Sequence, residues 1–212
     1  MCLQWEAVDA ADPAHGVVMR QVVTADNLAI TGEAFWQRVT ANVPLTIIGD
    51  LFMEDLSIGT EFLIEDEHTA VGNESFAGVA LRVTASGWPF RGGNDSPMIP
   101  GLFLRVFASG RWQLCAEANC TRACVDPPCK PGLQGETADG STSPIDFVIK
   151  SGQIPGASPA TMLNRWHNLS LSVLGATATA SFDGSPLFEA VDVLGQRGLP
   201  PSDHNARAGA GW

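Results

Sequence analysis

The amino-acid sequence predicts an all-β protein that folds as an antiparallel β-sandwich. Alternating apolar runs recur along the chain, glycine- and proline-rich breaks separate them, and no helical period persists for about twelve residues. The clearest central strand is residues 101–107, where apolar side chains stand on both faces. Such a strand lies inside a sheet that is covered on both sides. The 212 residues are enough for one core, so residues 1–212 are predicted to form a single domain.

The strands before residue 101 follow from alternation and from β-branched residues. The most regular one is at residues 56–64, because Leu56 and Phe62 share one face while Ser57 and Glu61 share the other. One face of this strand is therefore predicted to pack inward and the other to meet water or a ligand. Further strands are predicted at residues 3–8, 16–24, 45–48 and 76–84.

Residues 101–114 are predicted to form a hairpin, because the small residues 108–110 interrupt two strand-like runs. A cysteine-rich loop insertion without periodicity follows at residues 115–144. Strands are predicted to resume at residues 145–150, 166–174, 177–182 and 187–191, with a hairpin turn at Asp183 and Gly184.

The chain is acidic, with a formal net charge of −11 and a pI near 4.6. An acidic surface repels phosphate backbones and lacks a basic stripe for anionic lipid, which excludes nucleic acid and an anionic membrane surface as partners. No apolar run approaches the roughly 18 residues that span a bilayer.

Asn-x-Ser/Thr sequons are more frequent than composition alone would produce. They occur at Asn73, Asn94, Asn119 and Asn168, and Pro97 weakens the second of them. Glycosylation of Asn73, Asn119 and Asn168 would place the chain in the secretory pathway. The first residues lack the basic start and the apolar run of a signal peptide, so the chain is expected to be a fragment.

Four cysteines cluster in the insertion, at Cys115, Cys120, Cys124 and Cys129. A Cys₄ zinc site usually has paired Cys-x₂-Cys knuckles, whereas the intervening segments here have four, three and four residues. In a sequon-rich chain, two local disulfides are the favoured interpretation, and their connectivity stays open. Cys2 is the odd cysteine, expected to pair with an upstream region.

The acidic residues and the histidines form no recognisable catalytic motif. Glu61 and Glu65 share a strand face and approach the roughly 5–10 Å of a glycosidase pair, but solvated surface charge is the favoured interpretation. No histidine lies near a nucleophile motif. Arg82 and Arg105 lie in predicted strands, where a buried arginine needs a carboxylate partner such as Asp50.

The last hairpin carries a Trp-x-x-Leu-x-Leu pattern followed by Asp-Gly, which recurs in concanavalin-like jelly rolls, and Trp166 is expected to be its core anchor. Three other stretches stand in order: MRQVV (19–23), LTIIGDLFMEDLSIGTEFLIE (45–65) and GLFLRVFASGRWQL (101–114). Together they resemble the lectin-like C-terminal domain of the galactocerebrosidase (galactosylceramidase) family. The resemblance covers residues 5–212 except the insertion, and it implies a jelly-roll-like sandwich.

The resemblance implies a non-catalytic module. The family's catalytic glutamates lie in an upstream (β/α)₈ barrel, so no residue here is expected to be catalytic and the barrel is expected as a partner in the same polypeptide. The family's calcium-binding side chains lie in end segments absent here, so the chain is expected to be truncated at both ends. A backbone carbonyl near Val17 cannot supply the roughly six to eight oxygens that Ca²⁺ requires. The family also implies a galactosyl lipid or glycan ligand and a lysosomal or secretory location.

One substrate-binding residue carries over from the resemblance. In the family, a tryptophan between the Arg-Gln-Val and Ile-Ile-Gly-Asp strands reaches into the galactose pocket of the barrel, and Trp36 has that place here. An aromatic face stacks on the C–H face of galactose and excludes water. The chain is thus expected to help complete a galactose pocket. The alternative is a free-standing carbohydrate-binding or adhesion module that binds sugar by its own concave face, with Trp88 as the candidate contact.

Overall fold

A computed structural model of the chain describes residues 5–21, 47–48, 55–65, 75–83, 100–117, 120–122, 135–136, 142–143, 145–146, 148–193 and 209–211. Strands and tight turns account for most of these ranges, which confirms the predicted all-β fold. Helical structure within them is limited to a 3₁₀ turn at Pro13–His15 and a short helix, α1 (Pro159–Met162). The strands are β1 (Trp5–Asp9), β2 (Val17–Gln21), β3 (Ile47–Ile48), β4 (Leu56–Leu63), β5 (Phe76–Val83), β6 (Pro100–Phe107), β7 (Arg111–Glu117), β8 (Thr121–Arg122), β9 (Gly135–Glu136), β10 (Thr142–Ser143), β11 (Ile145–Asp146), β12 (Val148–Gln153), β13 (Trp166–Leu174), β14 (Thr177–Phe182), β15 (Ser185–Asp192) and β16 (Gly209–Gly211).

Most of these strands belong to two sheets, which we call the large sheet and the small sheet. The large sheet has the order β12-β7-β6-β5-β16-β3, and the small sheet has the order β15-β14-β13-β4. β1 and β2 form a separate hairpin, while β8 pairs with β11 and β9 with β10 in short ladders. All pairings between the described strands are antiparallel. The jelly-roll-like antiparallel sandwich that the sequence predicts is therefore confirmed.

A large apolar core fills the space between the two sheets. Burial of each large apolar side chain stabilises the fold by roughly 1.5–3 kcal/mol relative to exposure, so this cluster is the main source of stability. Its members from the large sheet are Val79, Leu81, Leu102, Leu104, Val106, Trp112 and Leu114. Its members from the small sheet include Phe62, Leu169, Leu171, Val173, Ala178, Ala180, Phe182 and Phe188.

The hairpin of β6 and β7 lies within the large sheet, as its sequence predicts. Leu104 pairs with Leu114 across the hairpin, and both side chains are fully buried in the core. On the opposite face, Phe103 packs in a second buried cluster with Cys115. Both faces of β6 are therefore covered, and the predicted central strand is confirmed. Gly110 makes the turn at φ 82°, a backbone angle that favours glycine.

The small sheet has one buried face and one face that meets water. The alternation predicted for residues 56–64 is confirmed, because Phe62 is buried whereas Ser57 and Glu61 are exposed. In β13 the odd-numbered residues from His167 to Val173 are buried, so the even-numbered residues lie on the outer face. The outer face of the small sheet is thus polar, a typical arrangement for an antiparallel sheet with one solvated side.

Trp166 lies on that outer face, so the prediction that it is the core anchor of the last hairpin was wrong. The buried residue at this end of β13 is His167, which is 8% exposed. The physical reason is the two-residue period of a strand, since burial of Leu169, Leu171 and Val173 turns Trp166 to the other side.

Cys115 and Cys120 form a disulfide with an S–S distance of 2.05 Å. Cys115 lies within β7, and both residues are almost completely buried. A bonded cysteine is not a thiolate ligand, so the Cys₄ zinc alternative is excluded for these two residues. Cys124 and Cys129, the other candidates for local disulfides, lie outside the described residues, and so does Cys2.

The two strand arginines have different environments. A guanidinium nitrogen of Arg82 donates a 2.7 Å hydrogen bond to the carbonyl of Gly175, and it lies 3.9 Å from the carboxylate of Asp55. Arg105 is buried, and its guanidinium carbon lies 4.7 Å from the ring centroid of Phe76. Asp50, the predicted carboxylate partner, lies outside the described residues. Among the helices that the structure describes, none has the length and apolarity to cross a membrane.

Candidate functional site

A cleft lies where β13 begins, beside the turn that joins β14 to β15. We call it the Trp166 cleft. Its volume is about 420 Å³, and the residues lining it include Ile154, Met162, Arg165, Trp166, His167, Phe182 and Asp183. Small-molecule sites in proteins have volumes of about 300–1,000 Å³ and combine apolar walls with a few polar groups. The volume of the cleft lies in that range, the cleft is open to solvent, and its lining is about as polar as it is apolar.

Backbone hydrogen bonds hold the walls of the cleft against the sandwich. The N–H of Ile154 donates to the carbonyl of Gly110 at 3.0 Å, which joins the loop after β12 to the large sheet. Beyond α1, the N–H of Asn164 donates to the carbonyl of Ile64 at 2.9 Å, which joins that segment to the end of β4. Met162 of α1 is 1% exposed and belongs to the core. The cleft is therefore built from fixed elements.

Trp166 is positioned by a residue from the N-terminal hairpin. The imidazole of His15 stacks on its indole, with ring centroids 3.9 Å apart and an interplanar angle of 9°. Nδ1 of His15 lies 3.3 Å from a carboxylate oxygen of Asp12, and Nε2 lies 3.5 Å from one of Glu61. Asp12 also caps the 3₁₀ turn that carries His15, because its side chain accepts from the N–H of Ala14 at 3.0 Å. One face of Trp166 is consequently covered by the ring of His15.

Asp183 brings a carboxylate to the cleft, and two neighbours fix it there. Its Oδ2 lies 2.8 Å from Nδ1 of His167, and its Oδ1 accepts from the N–H of Asn168 at 2.8 Å. Since a carboxylate only accepts, Nδ1 carries the proton in this pair. Nε2 of His167 is buried and has no hydrogen-bond partner in the structure described. The ring of His167 packs against Phe62 and Phe182, at centroid distances of 5.9 Å and 4.9 Å.

Most of the site residues predicted from the sequence are outside the part of the chain that the structure describes. Trp36, Asn73, Asn94 and Asn119 lie outside the described residues, and so does Trp88. Asn168 is exposed on the outer face of the small sheet, where its register partner in β4 is Glu61. Glu61 and Glu65 are exposed, in agreement with surface charge.

Sequence reasoning missed the cleft itself. One signal was present in the pattern around β13: the buried series Leu169, Leu171 and Val173 already places Trp166 on the polar side of the strand. No such signal exists for the approach of His15, which is about 150 residues earlier in the chain.

Side chains that commonly bind metal ions do not cluster in the described part of the chain. No group of three or more histidine, cysteine, aspartate or glutamate side chains in it has an arrangement that could hold a metal ion.

The chain is similar in sequence to a known protein family and to one of its members. The family model described as "Galactocerebrosidase, C-terminal lectin domain" matches residues 5–126, which is more than half of the chain. A galactocerebrosidase from Danio rerio is 25% identical over 180 residues, a match that spans 85% of this chain and 20% of the relative.

Two solved structures are also similar. The carbohydrate-binding module CBM66 from Bacillus subtilis has a TM-score of 0.35 at 15% identity, with coverage of 74% of this chain and 66% of that one. Sheep galectin-11, in complex with glycerol, has a TM-score of 0.36 at 10% identity, with coverage of 79% and 86%. By the match of the family model, the chain belongs to the family of galactocerebrosidase C-terminal lectin domains.

Proposed function

We propose that the chain is the lectin-like, non-catalytic module of a galactosylceramidase-type glycoside hydrolase and serves galactosylceramide catabolism. The observation that carries this proposal is the family match over residues 5–126. The similarity to Danio rerio galactocerebrosidase, of which the chain spans 20%, supports the same function. Its partner would be an upstream catalytic barrel of the same polypeptide, and its location would be lysosomal or secretory.

Within this function, Trp36 would complete the galactose pocket of the barrel. Support comes from the position of Trp36 between the Arg-Gln-Val and Ile-Ile-Gly-Asp stretches of the sequence. An indole ring suits this task because it stacks on the apolar C–H face of galactose. The ligand is therefore a galactosyl lipid or a related glycan.

A hydrolysis assay tests the non-catalytic part of the proposal. The purified 212-residue chain, incubated with galactosylceramide, is expected to release no galactose, because the family's catalytic glutamates belong to the barrel. An activity that remains with the chain through repeated purification would contradict the proposal.

The Trp166 cleft favours a second candidate function, a free-standing carbohydrate-binding module. In that case the chain binds sugar by itself, with no barrel. A glycan array separates the two candidates: binding by the isolated chain that Trp166→Ala or Trp88→Ala removes and Trp36→Ala leaves intact supports the free-standing module. Absence of binding by the isolated chain supports a pocket shared with the barrel.

A further inference from the structure

We propose that the Trp166 cleft is a subsite for an acidic sugar, a pyranose that carries a carboxylate or a sulfate group. The proposal rests on the carbohydrate-binding role proposed above, but it does not depend on Trp36. It assigns separate tasks to three groups of the cleft: an aromatic surface, a guanidinium and a carboxylate.

The aromatic surface belongs to Trp166. His15 covers one face of the indole at a centroid distance of 3.9 Å, so the cleft is lined by the part of the ring that His15 leaves uncovered. The buried side chains of Met162 and Phe182 add apolar wall. A pyranose has an apolar C–H face that packs on such a surface and hydroxyl groups at its rim that require polar partners.

The guanidinium belongs to Arg165, which is exposed and lines the cleft. Other arginines with described side chains have partners: Arg20 forms a 2.8 Å ion pair with Glu6, and Arg111 lies over the ring of Phe107 at 3.8 Å. Arg165 forms no ion pair, hydrogen bond or ring contact within the described part of the chain. Arginine presents a planar fork of donors that fits a carboxylate or a sulfate with two parallel hydrogen bonds.

The carboxylate belongs to Asp183, and its environment prepares it to accept hydrogen bonds from a sugar. Each oxygen already accepts one bond, from His167 or from the N–H of Asn168, which holds the group in place and offsets its charge. Each oxygen also retains a further lone pair, and the side chain is 46% exposed. Within the structure described, no ion pair joins Asp183 to Arg165. The guanidinium of Arg165 and the carboxylate of Asp183 can therefore contact the same ligand.

Charge decides between an acidic and a neutral sugar. A neutral pyranose would use Asp183 and Trp166 but leave the guanidinium of Arg165 without an anionic partner. Arg165 has no partner among the described residues and lines the same cleft as Trp166, so its guanidinium favours a ligand that brings its own negative charge. The acid group of the sugar would bind the guanidinium of Arg165, and its hydroxyl groups would donate hydrogen bonds to the carboxylate of Asp183.

Calorimetric titration of the 212-residue chain tests this subsite with three probes: galactose 3-sulfate, galacturonic acid and galactose. At least one acidic probe is expected to bind more tightly than galactose, and comparison of the two acidic probes separates sulfate from carboxylate recognition. Because a charge-assisted bond contributes about 1.5–3 kcal/mol, Arg165→Gln should weaken acidic binding by about tenfold or more. Equal affinity for galactose and both acidic probes, or no binding of any probe, would overturn the proposal.

Two control variants locate the binding. Lys150→Gln removes the same charge from an exposed residue that does not line the cleft, and it is expected to leave the affinity unchanged. Trp36→Ala should also leave it unchanged, which separates this subsite from the galactose pocket of the proposed function. Trp166→Phe keeps an aromatic ring and should retain partial binding, whereas Trp166→Ala should lose it. Acidic binding that survives Arg165→Gln but not Trp36→Ala would refute the assignment to this cleft.

Discussion

The imidazole of His15 lies parallel to the indole of Trp166, with ring centroids 3.9 Å apart. This contact joins the hairpin of β1 and β2 to the outer face of the small sheet. The two strands of that hairpin form their own sheet and do not pair with strands of the small sheet. A stacked aromatic pair contributes about 0.5–1.5 kcal/mol beyond the burial of its area. The stack also fixes which face of Trp166 remains for the cleft.

A double-mutant cycle measures this contact. His15→Ala and Trp166→Ala are expected to be coupled by about 0.5–1.5 kcal/mol in the free energy of unfolding, because either single change removes the stack. Urea denaturation of the wild type, both single variants and the double variant gives the coupling. A cycle of His15→Ala with Phe188→Ala, whose ring packs on Trp112 in the core, is the control and should be additive. Additive behaviour of the first cycle would refute the stabilising stack.

Asp183→Asn tests the carboxylate that lines the cleft. Asparagine fits the left-handed backbone of the turn, where φ of residue 183 is 47°, so the variant isolates the loss of charge. The loss of the charge-assisted bond to His167 should reduce the free energy of unfolding by about 1–3 kcal/mol. Glu189→Gln, at an exposed residue of β15, is the matched control and should change it by less than about 0.5 kcal/mol. Equal effects in chemical denaturation would show that Asp183 does not act through His167.

Two strand glycines differ in the space around them. A Cβ atom on Gly78 in β5 would overlap the carbonyl oxygen of Leu104, which is backbone in the paired strand β6 and cannot move aside. Gly78→Ala is therefore expected to destabilise the fold by about 1–3 kcal/mol. Gly59→Ala in β4 meets no atom within 4 Å, so it should be neutral or stabilising by up to about 1 kcal/mol. Thermal unfolding of both variants checks the contrast, and a neutral Gly78→Ala would contradict the close approach of β5 to β6.

The disulfide between Cys115 and Cys120 closes a short loop at the end of β7. Replacement of both cysteines by alanine should lower the free energy of unfolding by about 2 kcal/mol, the loop-closure contribution for so short a segment. The control is the wild-type chain after reduction of the disulfide, whose free energy of unfolding should approach that of the double alanine variant.

Peptide mapping without reduction checks the connectivity directly. Trypsin releases residues 112–122, which contain both cysteines, and cleavage after Glu117 separates them. The two halves are expected to remain linked until a reductant is added. Recovery of Cys115 linked to a peptide that contains Cys124 or Cys129 would contradict the connectivity.

Strand positions could be predicted because their cause is local. The alternation in residues 56–64 indicates which side chains face the core, and Asp183-Gly184 marks a turn wherever the hairpin lies in the fold. The central position of β6 followed from apolar side chains on both of its faces, and Leu104 and Phe103 are indeed buried on opposite sides. The same stretches carried the resemblance to the family.

The candidate site could not be predicted in the same way. Trp166 was expected to be the core anchor of the last hairpin, whereas the register of β13 places it on the outer face of the small sheet. His15 and Glu61 come from distant parts of the sequence, and only the packing of the first hairpin on the small sheet brings them to Trp166.

Sequence alone was enough to predict the all-β class, the alternation of most strands, the family and a local disulfide, because each depends on residues close together in the chain. The outward orientation of Trp166 became evident from the fold, and so did the position of Arg165 and Asp183 in one cleft. The physical reason is that a period of two residues defines two faces of a strand, whereas the identity of what covers each face depends on contacts between segments far apart in sequence.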